Sequence, residues 1–221
     1  MLREVFLLRK KYFYSALGCF VAFALWTLAV CTIDVKPIGP QGSLVGLASI
    51  NRAFHTLTGV HWTLYAVTDW LGLVPVAVAV GFAVFGLLQW IQRKNLWKVD
   101  RSILILGAFY LAIMAAYLGF EYVVVNFRPV LINGYLEASY PSSTTMLVLC
   151  VMPTAAIQLR DRIKNPVVRV LVLAAIAVFS ASMVMGRLIS GVHWLSDITG
   201  GLLLSAGLVL IYAACEKHPG L

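Results

Sequence analysis

The most informative part of this chain is the stretch Gly186-Arg187-Leu188-Ile189-Ser190-Gly191-Val192-His193-Trp194-Leu195-Ser196-Asp197. It places an arginine, a histidine and an aspartate between two long apolar runs, where ionisable side chains are costly and mark functional sites. His193 and Asp197 are four residues apart and are expected to share one face of a helix that begins near Val192. A carboxylate so placed holds an imidazole in one tautomer. Arg187 offers a forked donor that suits a phosphate.

The composition is that of an integral membrane protein. Of the 221 residues, 61% are hydrophobic and 12% are charged, and the mean hydropathy is +0.90. Runs of about 20 apolar residues are long enough to cross a bilayer as helices. The chain is therefore predicted to be an all-α polytopic protein with six transmembrane helices. The predicted spans are residues 12–33, 64–91, 102–125, 142–159, 167–185 and 193–214.

The segment between the first two spans is polar and rich in turn residues. Within it, residues 44–57 carry apolar side chains at steps of three and four, which predicts an amphipathic helix at the membrane interface. Whether this segment covers a site or only rests on the interface stays open at this stage. We expect a single membrane domain over residues 1–221. It comprises the first span with its interfacial segment (1–62) and a five-span core (63–215).

The distribution of basic residues predicts the orientation in the membrane. Six spans place both termini on one side, and of the seventeen Lys and Arg residues only Lys36, Arg52, Arg128 and Arg187 then fall on the other side. Positive charge marks the cytoplasmic side, so both termini are predicted to be cytoplasmic. The net charge of +8 is then explained by topology, and nucleic-acid binding is not expected.

Two more polar stretches are predicted at the same, outer end as His193. Arg128 directly precedes a proline, so it takes an extended or turn conformation at the end of the third span. Pro141 suits the first turn of the fourth span, and the hydroxyls of Ser142, Ser143 and Thr144 follow it. A helix N-terminus with hydroxyls is an anion site, although ordinary capping explains such residues as well. Together with the arginines and the histidine, they favour a phosphate site.

No metal and no organic cofactor is expected. The four cysteines are spread over different apolar runs without the spacing of metal ligands, and no nucleotide-binding glycine loop is present.

The chain resembles the type-2 phosphatidic acid phosphatases, a family of integral-membrane lipid phosphate phosphatases. The third motif of that family is Ser-Arg-x5-His-x3-Asp. In this sequence it reads Gly186-Arg187, five residues, His193, three residues and Asp197. Its spacing is complete, with glycine in place of the leading serine. Motif order and the six predicted spans also match, so the resemblance covers roughly residues 60–215.

The other two motifs are only partly present. The family's Lys-x6-Arg-Pro reads Glu121, six residues, Arg128-Pro129, and its Pro-Ser-Gly-His reads Pro141-Ser142-Ser143-Thr144. The histidine that protonates the leaving group in the family is therefore Thr144, whose hydroxyl is a poor general acid. One hypothesis is that Glu121 supplies the missing proton. The alternative is a structural ion pair between Glu121 and Arg128, seven residues apart.

The resemblance implies a mechanism. His193 would attack phosphorus and form a phosphohistidine, while Asp197 would orient it and balance its charge. The residues implied in binding the phosphoryl oxygens are Arg128, Arg187, Ser142, Ser143 and Thr144. His55 and His61 also lie on the outer side and could replace the lost acid, but lone histidines there are more typical of interfacial residues.

The function that follows is a phosphatase for lipid phosphates or pyrophosphates at the outer leaflet, in a plasma membrane that compact size suggests is bacterial. The family's usual substrates are phosphatidate, phosphatidylglycerol phosphate and undecaprenyl pyrophosphate. Two alternatives remain open: phosphotransfer to an acceptor other than water, and a non-catalytic protein that binds a lipid phosphate or a partner. The predicted partners are thus a lipid phosphate and the membrane itself, and the oligomeric state is left open.

Overall fold

The computed structural model describes residues 2–216, apart from the side chains of Leu2, Arg3 and Val5. Lys217, which the charge pattern assigns to the cytoplasmic side, lies outside the described residues. Residues 2–216 form eight α-helices. These are α1 (Leu2–Thr32), α2 (Ala48–Thr58), α3 (Trp62–Leu71), α4 (Leu73–Arg93), α5 (Arg101–Tyr122), α6 (Ser143–Arg162), α7 (Pro166–Ile189) and α8 (Leu195–Glu216).

The six predicted spans are confirmed. Six helical segments of the described chain are long and apolar enough to cross a bilayer, and α3 and α4 together form the second of them. The two helices meet at Gly72, whose N–H bonds back to the carbonyls of Thr68 and Asp69. The first helix extends well before the predicted start at residue 12, because its charged N-terminal residues continue the helix beyond the apolar stretch.

The centre of the bundle is formed by α6 and α8, the two spans that are about half buried. Helix α1 packs along α8 and reaches the loops at one end of the bundle. There the Trp26 indole donates to the carbonyl of Ser196 at 3.1 Å, and Thr27 and Tyr140 share a hydrogen bond of 2.7 Å. Gly200 of α8 makes room for Tyr140, since a Cβ there would lie 2.6 Å from its ring.

The predicted amphipathic helix between the first two spans exists, but it begins at Ala48 rather than at residue 44. Val45 pairs with Lys36 in an isolated bridge, and Leu47 adopts a left-handed conformation, so helical geometry cannot start earlier. The buried Asn51 fixes α2 in place, because its amide donates to Ser196 Oγ at 2.9 Å and accepts from Ser196 N at 3.1 Å. These two hydrogen bonds hold α2, and with it the segment of residues 33–61, against the start of α8.

Candidate active site

The turn between α7 and α8 carries His193. Helix α8 begins at Leu195, so the expectation of a helix starting near Val192 is wrong, and His193 lies outside the helix. Gly191 has a φ of +70°, which reverses the chain just before the histidine. Asp197 lies in the first turn of α8, and its Oδ2 accepts the backbone N–H of Trp194 at 2.8 Å. This back-bond is that of a capping box, and it fixes the angle at which the turn enters the helix.

The imidazole of His193 is 3% exposed and meets a side chain that sequence reasoning missed. Its Nδ1 lies 3.0 Å from Ser139 Oγ but 3.8 Å from Asp197 Oδ2. The Ser139 hydroxyl in turn donates a short hydrogen bond to Asp197 Oδ2. The expected contact between His193 and Asp197 is therefore bridged by a serine. The only sequence signal for Ser139 is its place two residues before Pro141, which marks no role by itself.

Arg128 approaches the histidine from the opposite edge of the ring, where its Nη1 lies 3.2 Å from His193 Nε2. Two extended segments that pair with each other produce this arrangement. The N–H of Arg128 donates to the carbonyl of Glu137 at 3.0 Å, and that of Ser139 donates to the carbonyl of Asn126 at 2.9 Å. Arg128 and Ser139 are thus carried on neighbouring segments to the two nitrogens of the same ring.

The partner of Arg128 is Glu137, and the hypothesis of a Glu121–Arg128 pair is wrong. Helix α5 ends at Tyr122, so residues 121 and 128 do not share a helical face. Arg128 Nε instead lies 3.1 Å from Glu137 Oε2, at an angle that makes an ion pair rather than a hydrogen bond. No sequence pattern indicates Glu137, because the pair depends on how the two extended segments align.

Arg187 is 1% exposed and is held entirely by α3. Its Nη1 lies 3.5 Å from Asp69 Oδ1 and 3.4 Å from Thr68 Oγ1, and its guanidinium is 5.0 Å from the centre of the Tyr65 ring. These three residues lie at helical steps of three and one along the first part of the second span. Sequence reasoning missed Asp69, whose carboxylate within an apolar run was the available signal.

Both arginines keep a buried donor without a hydrogen bond. Among residues 2–216, the buried side-chain atoms that lack a hydrogen-bond partner are Ser43 Oγ, Arg128 Nε, Thr145 Oγ1 and Arg187 Nε. An unsatisfied buried donor costs roughly 1–3 kcal/mol, and more when it is charged. Two such guanidinium donors lie at one end of the bundle, where charged donors of this kind suit an anion.

The histidine is neutral in this environment. Burial is the main cause that lowers the pKa of His193 well below its usual 6.5, and the charges of Arg128 and Arg187 lower it further. A neutral imidazole keeps a lone pair on one ring nitrogen, which a protonated one does not. The site therefore combines a neutral imidazole with the positive charges of Arg128 and Arg187.

The second motif contributes less to the site than expected. Helix α6 begins at Ser143 with Ser142 as its N-cap, so Pro141 precedes the cap and is not in the first turn. Ser142 is fully buried, and its Oγ accepts from Thr145 N at 3.5 Å. Ser143 lines the small cavity beside His193. Thr144 lies instead along the groove described below.

Glu121 lies in the last turn of α5 and lines the same cavity as His193. The volume of this cavity is about 10 Å³, which is the space that one water needs. His55 and His61 are held elsewhere. His55 Nε2 contacts the carbonyl of Gly191 at 3.0 Å, and the exposed His61 contacts the carbonyl of Thr58 at 2.8 Å. Of the three side chains considered as a replacement acid, the cavity is lined by Glu121 alone.

An apolar groove of about 440 Å³ runs between α4, α5 and α6 and meets this cavity. Tyr117, Ser143 and Met146 line both the groove and the cavity. The rest of the groove is mainly aliphatic, with Asp69 and Thr144 at the same end as Ser143. A molecule with a phosphate and an apolar tail fits this combination of surfaces.

Known proteins resemble this chain in part of its sequence and in its fold. Residues 120–219 match the PAP2 superfamily, and this range contains all three motif segments. The fold is similar to the crystal structure of the first transmembrane PAP2 type phosphatidylglycerolphosphate phosphatase from Bacillus subtilis. The TM-score is 0.54, and 19% of residues are identical over 91% of this chain and 94% of that chain. At this identity the likeness concerns the fold. No curated protein matches the chain.

Proposed function

We propose, from the match of residues 120–219 to the PAP2 superfamily, that this chain is a multi-pass membrane phosphatase that acts on lipid phosphates or pyrophosphates through His193. The observation that carries the proposal is the contact of 3.2 Å between His193 Nε2 and Arg128 Nη1. It is made in a buried site where, within residues 2–216, Arg128 and Arg187 each retain an Nε–H without a hydrogen bond. A neutral imidazole beside a fixed cation suits nucleophilic attack on phosphorus.

The proposed reaction has two steps. In the first, the lone pair on His193 Nε2 forms a bond to phosphorus while the bond from phosphorus to the leaving oxygen breaks. Arg128 and Arg187 bind the phosphoryl oxygens as negative charge develops on them. In the second, water attacks the phosphohistidine, the P–N bond breaks, and inorganic phosphate leaves with the histidine restored. Arg128 must move from Nε2 to the phosphate for the first step to occur.

Protonation of the leaving group is assigned to Glu121. It is the carboxylic side chain that lines the cavity beside His193, whereas Thr144 lies along the groove. An alkoxide leaving group needs a proton in the transition state, and a positioned acid contributes typically 10²- to 10⁴-fold. A pyrophosphate leaves as a stabilised anion and needs the proton much less.

The substrate class follows from the groove. An apolar channel of about 440 Å³ that shares residues with the cavity at His193 suits the tail of a membrane lipid. The site lies at the end of the bundle opposite the basic connectors around Arg93 and Arg162, which by the charge rule is the extracytoplasmic end. We therefore assign the activity to the outer leaflet of a bacterial plasma membrane.

The test measures phosphate release in detergent from phosphatidate, phosphatidylglycerol phosphate and a prenyl pyrophosphate. The wild-type protein is compared with His193→Ala and with His61→Ala, a histidine outside the cavity. Release that is abolished in His193→Ala and retained in His61→Ala supports the proposal. Equal release from the wild type and His193→Ala overturns the assignment of the nucleophile.

The same assay separates the alternative functions. Labelled phosphate that becomes acid-labile on the wild type, without release until an alcohol is added, indicates a phosphotransferase that uses another acceptor. Binding of labelled lipid without any turnover indicates a lipid-phosphate-binding protein.

A further inference from the structure

We propose that Ser139 is a positioning residue that fixes the tautomer of His193 and connects its Nδ1 to Asp197. The importance of this residue for catalysis rests on the function proposed above, but the hydrogen-bond chain itself does not. Ser139 lies outside the three family motifs as they read in this sequence. Its hydroxyl contacts both His193 Nδ1, at 3.0 Å, and Asp197 Oδ2.

The direction of each hydrogen bond in the chain is determined by chemistry. A guanidinium can only donate, so at 3.2 Å from Arg128 Nη1 the Nε2 of His193 must be the acceptor. A neutral imidazole carries its single proton on the other nitrogen, so Nδ1–H donates to Ser139 Oγ. The serine hydroxyl in turn donates a hydrogen bond to the Asp197 carboxylate. In this series of hydrogen bonds, from Arg128 through the imidazole and Ser139 to Asp197, each bond has one donor and one acceptor.

Asp197 does not make this bond directly. Its Oδ2 is 3.8 Å from His193 Nδ1, beyond hydrogen-bond distance, and it accepts from Trp194 N at 2.8 Å. Its Oδ1 lies 3.4 Å from Asn126 Nδ2 and 3.5 Å from Ser196 Oγ. These contacts hold the carboxylate in place, and the hydroxyl of Ser139 fills the gap between it and the imidazole.

Ser139 is itself held by the backbone. Its N–H donates to the carbonyl of Asn126 at 2.9 Å, and the adjacent residue Ala138 pairs with Phe127 in an isolated bridge. The side chain is 3% exposed. The position of the hydroxyl is thus set by the same two extended segments that carry Arg128.

The series of hydrogen bonds from Arg128 to Asp197 has a consequence for the reaction. With the proton on Nδ1, the lone pair lies on Nε2 and faces Arg128. When Nε2 bonds to phosphorus, the ring becomes positively charged while its Nδ1–H stays in place. The hydrogen bond through Ser139 to the carboxylate then stabilises that charge, and no proton has to leave the ring.

The experiment reads the tautomer directly from the ¹⁵N chemical shifts of the histidine ring nitrogens in labelled protein in detergent micelles. The His193 signals are assigned as those absent from His193→Ala. The wild type is expected to show an unprotonated Nε2 and a protonated Nδ1. Ser139→Ala should shift the signals towards the Nε2–H form, and Ser139→Thr, which keeps the hydroxyl, should restore them. Ser180→Ala, another buried serine whose hydroxyl donates to Ile176 O, is the control and should leave them unchanged.

Two results overturn the inference: an Nε2–H tautomer in the wild type, or Ser139→Ala with wild-type shifts. The first requires no variant to fold. Neither depends on finding a substrate, so failure of the proposed function and failure of this inference are distinguishable.

With an active substrate, Ser139→Ala should lower kcat by about 10²- to 10⁴-fold, the range for loss of a correctly held histidine. KM should change little, because the serine does not touch the substrate, and Ser139→Thr should recover most of kcat. A rise in KM with unchanged kcat would contradict a positioning role.

Discussion

Replacing Gly191 by alanine is expected to displace the turn that carries His193. Gly191 has a φ of +70°, and an added Cβ would lie 1.9 Å from the carbonyl oxygen of Gly59 and 3.1 Å from Val60 Cα. These atoms belong to the connection between α2 and α3, which is bound to the turn by a hydrogen bond of 2.9 Å from His61 N to Ser190 O. The two backbones must separate by about an ångström or more to admit a methyl group.

The cost has two parts. A left-handed conformation costs a residue with a Cβ roughly 1–2 kcal/mol. The separation also weakens the bond from His61 N to Ser190 O, and loss of one hydrogen bond costs about 1 kcal/mol, or up to about 3 kcal/mol when a buried group is left unsatisfied. The expected total is about 2–5 kcal/mol, which for a chain of this size lowers the melting temperature by roughly 4–20 °C.

Gly59→Ala provides a matched control. Gly59 has a φ of +69°, but within residues 2–216 no heavy atom lies within 4 Å of the added Cβ. Its ψ of −161° lies in a region that is essentially restricted to glycine, so the variant carries a conformational cost alone, roughly 1–3 kcal/mol. The melting temperature of each purified variant in the same detergent, together with its rate of phosphate release, provides the comparison. Equal melting temperatures for Gly191→Ala and Gly59→Ala, or full activity in Gly191→Ala, would refute the steric argument.

The remaining predictions concern the charged residues of the site. Arg187→Lys keeps the charge but loses the fork that bonds to phosphate, so kcat/KM should fall by about 10²- to 10³-fold. The acid limb of the kcat/KM profile should lie below pH 6.5, because the lowered pKa keeps His193 neutral there. Arg187→Gln removes a positive charge that opposes protonation, so the pKa of His193 rises and the limb moves to higher pH. Glu121→Gln should slow release from an alkyl phosphate about 100-fold or more, and release from a pyrophosphate much less.

Each of these has a control. Arg160→Lys changes an exposed residue at the opposite end of α6 and should retain activity. The pH profiles of Arg187→Lys and Arg187→Gln are compared on one substrate, so that the ionisation of the substrate contributes equally to both. Coincident acid limbs would show that the charge of Arg187 does not act on His193. Unchanged turnover of an alkyl phosphate by Glu121→Gln would eliminate Glu121 as the acid.

Much of the fold could be read from hydropathy. The six spans and the amphipathic helix between the first two are local properties of the sequence, since a bilayer requires continuous apolar helices wherever the chain crosses it. The resemblance to the type-2 phosphatidic acid phosphatases depends on one complete and two partial motifs, their order and the six spans, and the match of residues 120–219 to the PAP2 superfamily confirms it. The orientation of the termini and the roles of the site residues stay predictions.

The order of the spans along the sequence is enough to predict that one end of the bundle carries Arg128, Arg187, His193 and Asp197. The partners of these four side chains depend on the tertiary structure. Ser139 and Glu137 reach the site because two extended segments pair with each other, and Asp69 reaches Arg187 because α3 packs on α7. Such contacts depend on the alignment of irregular backbone and on helix packing, neither of which leaves a periodic signal in the sequence.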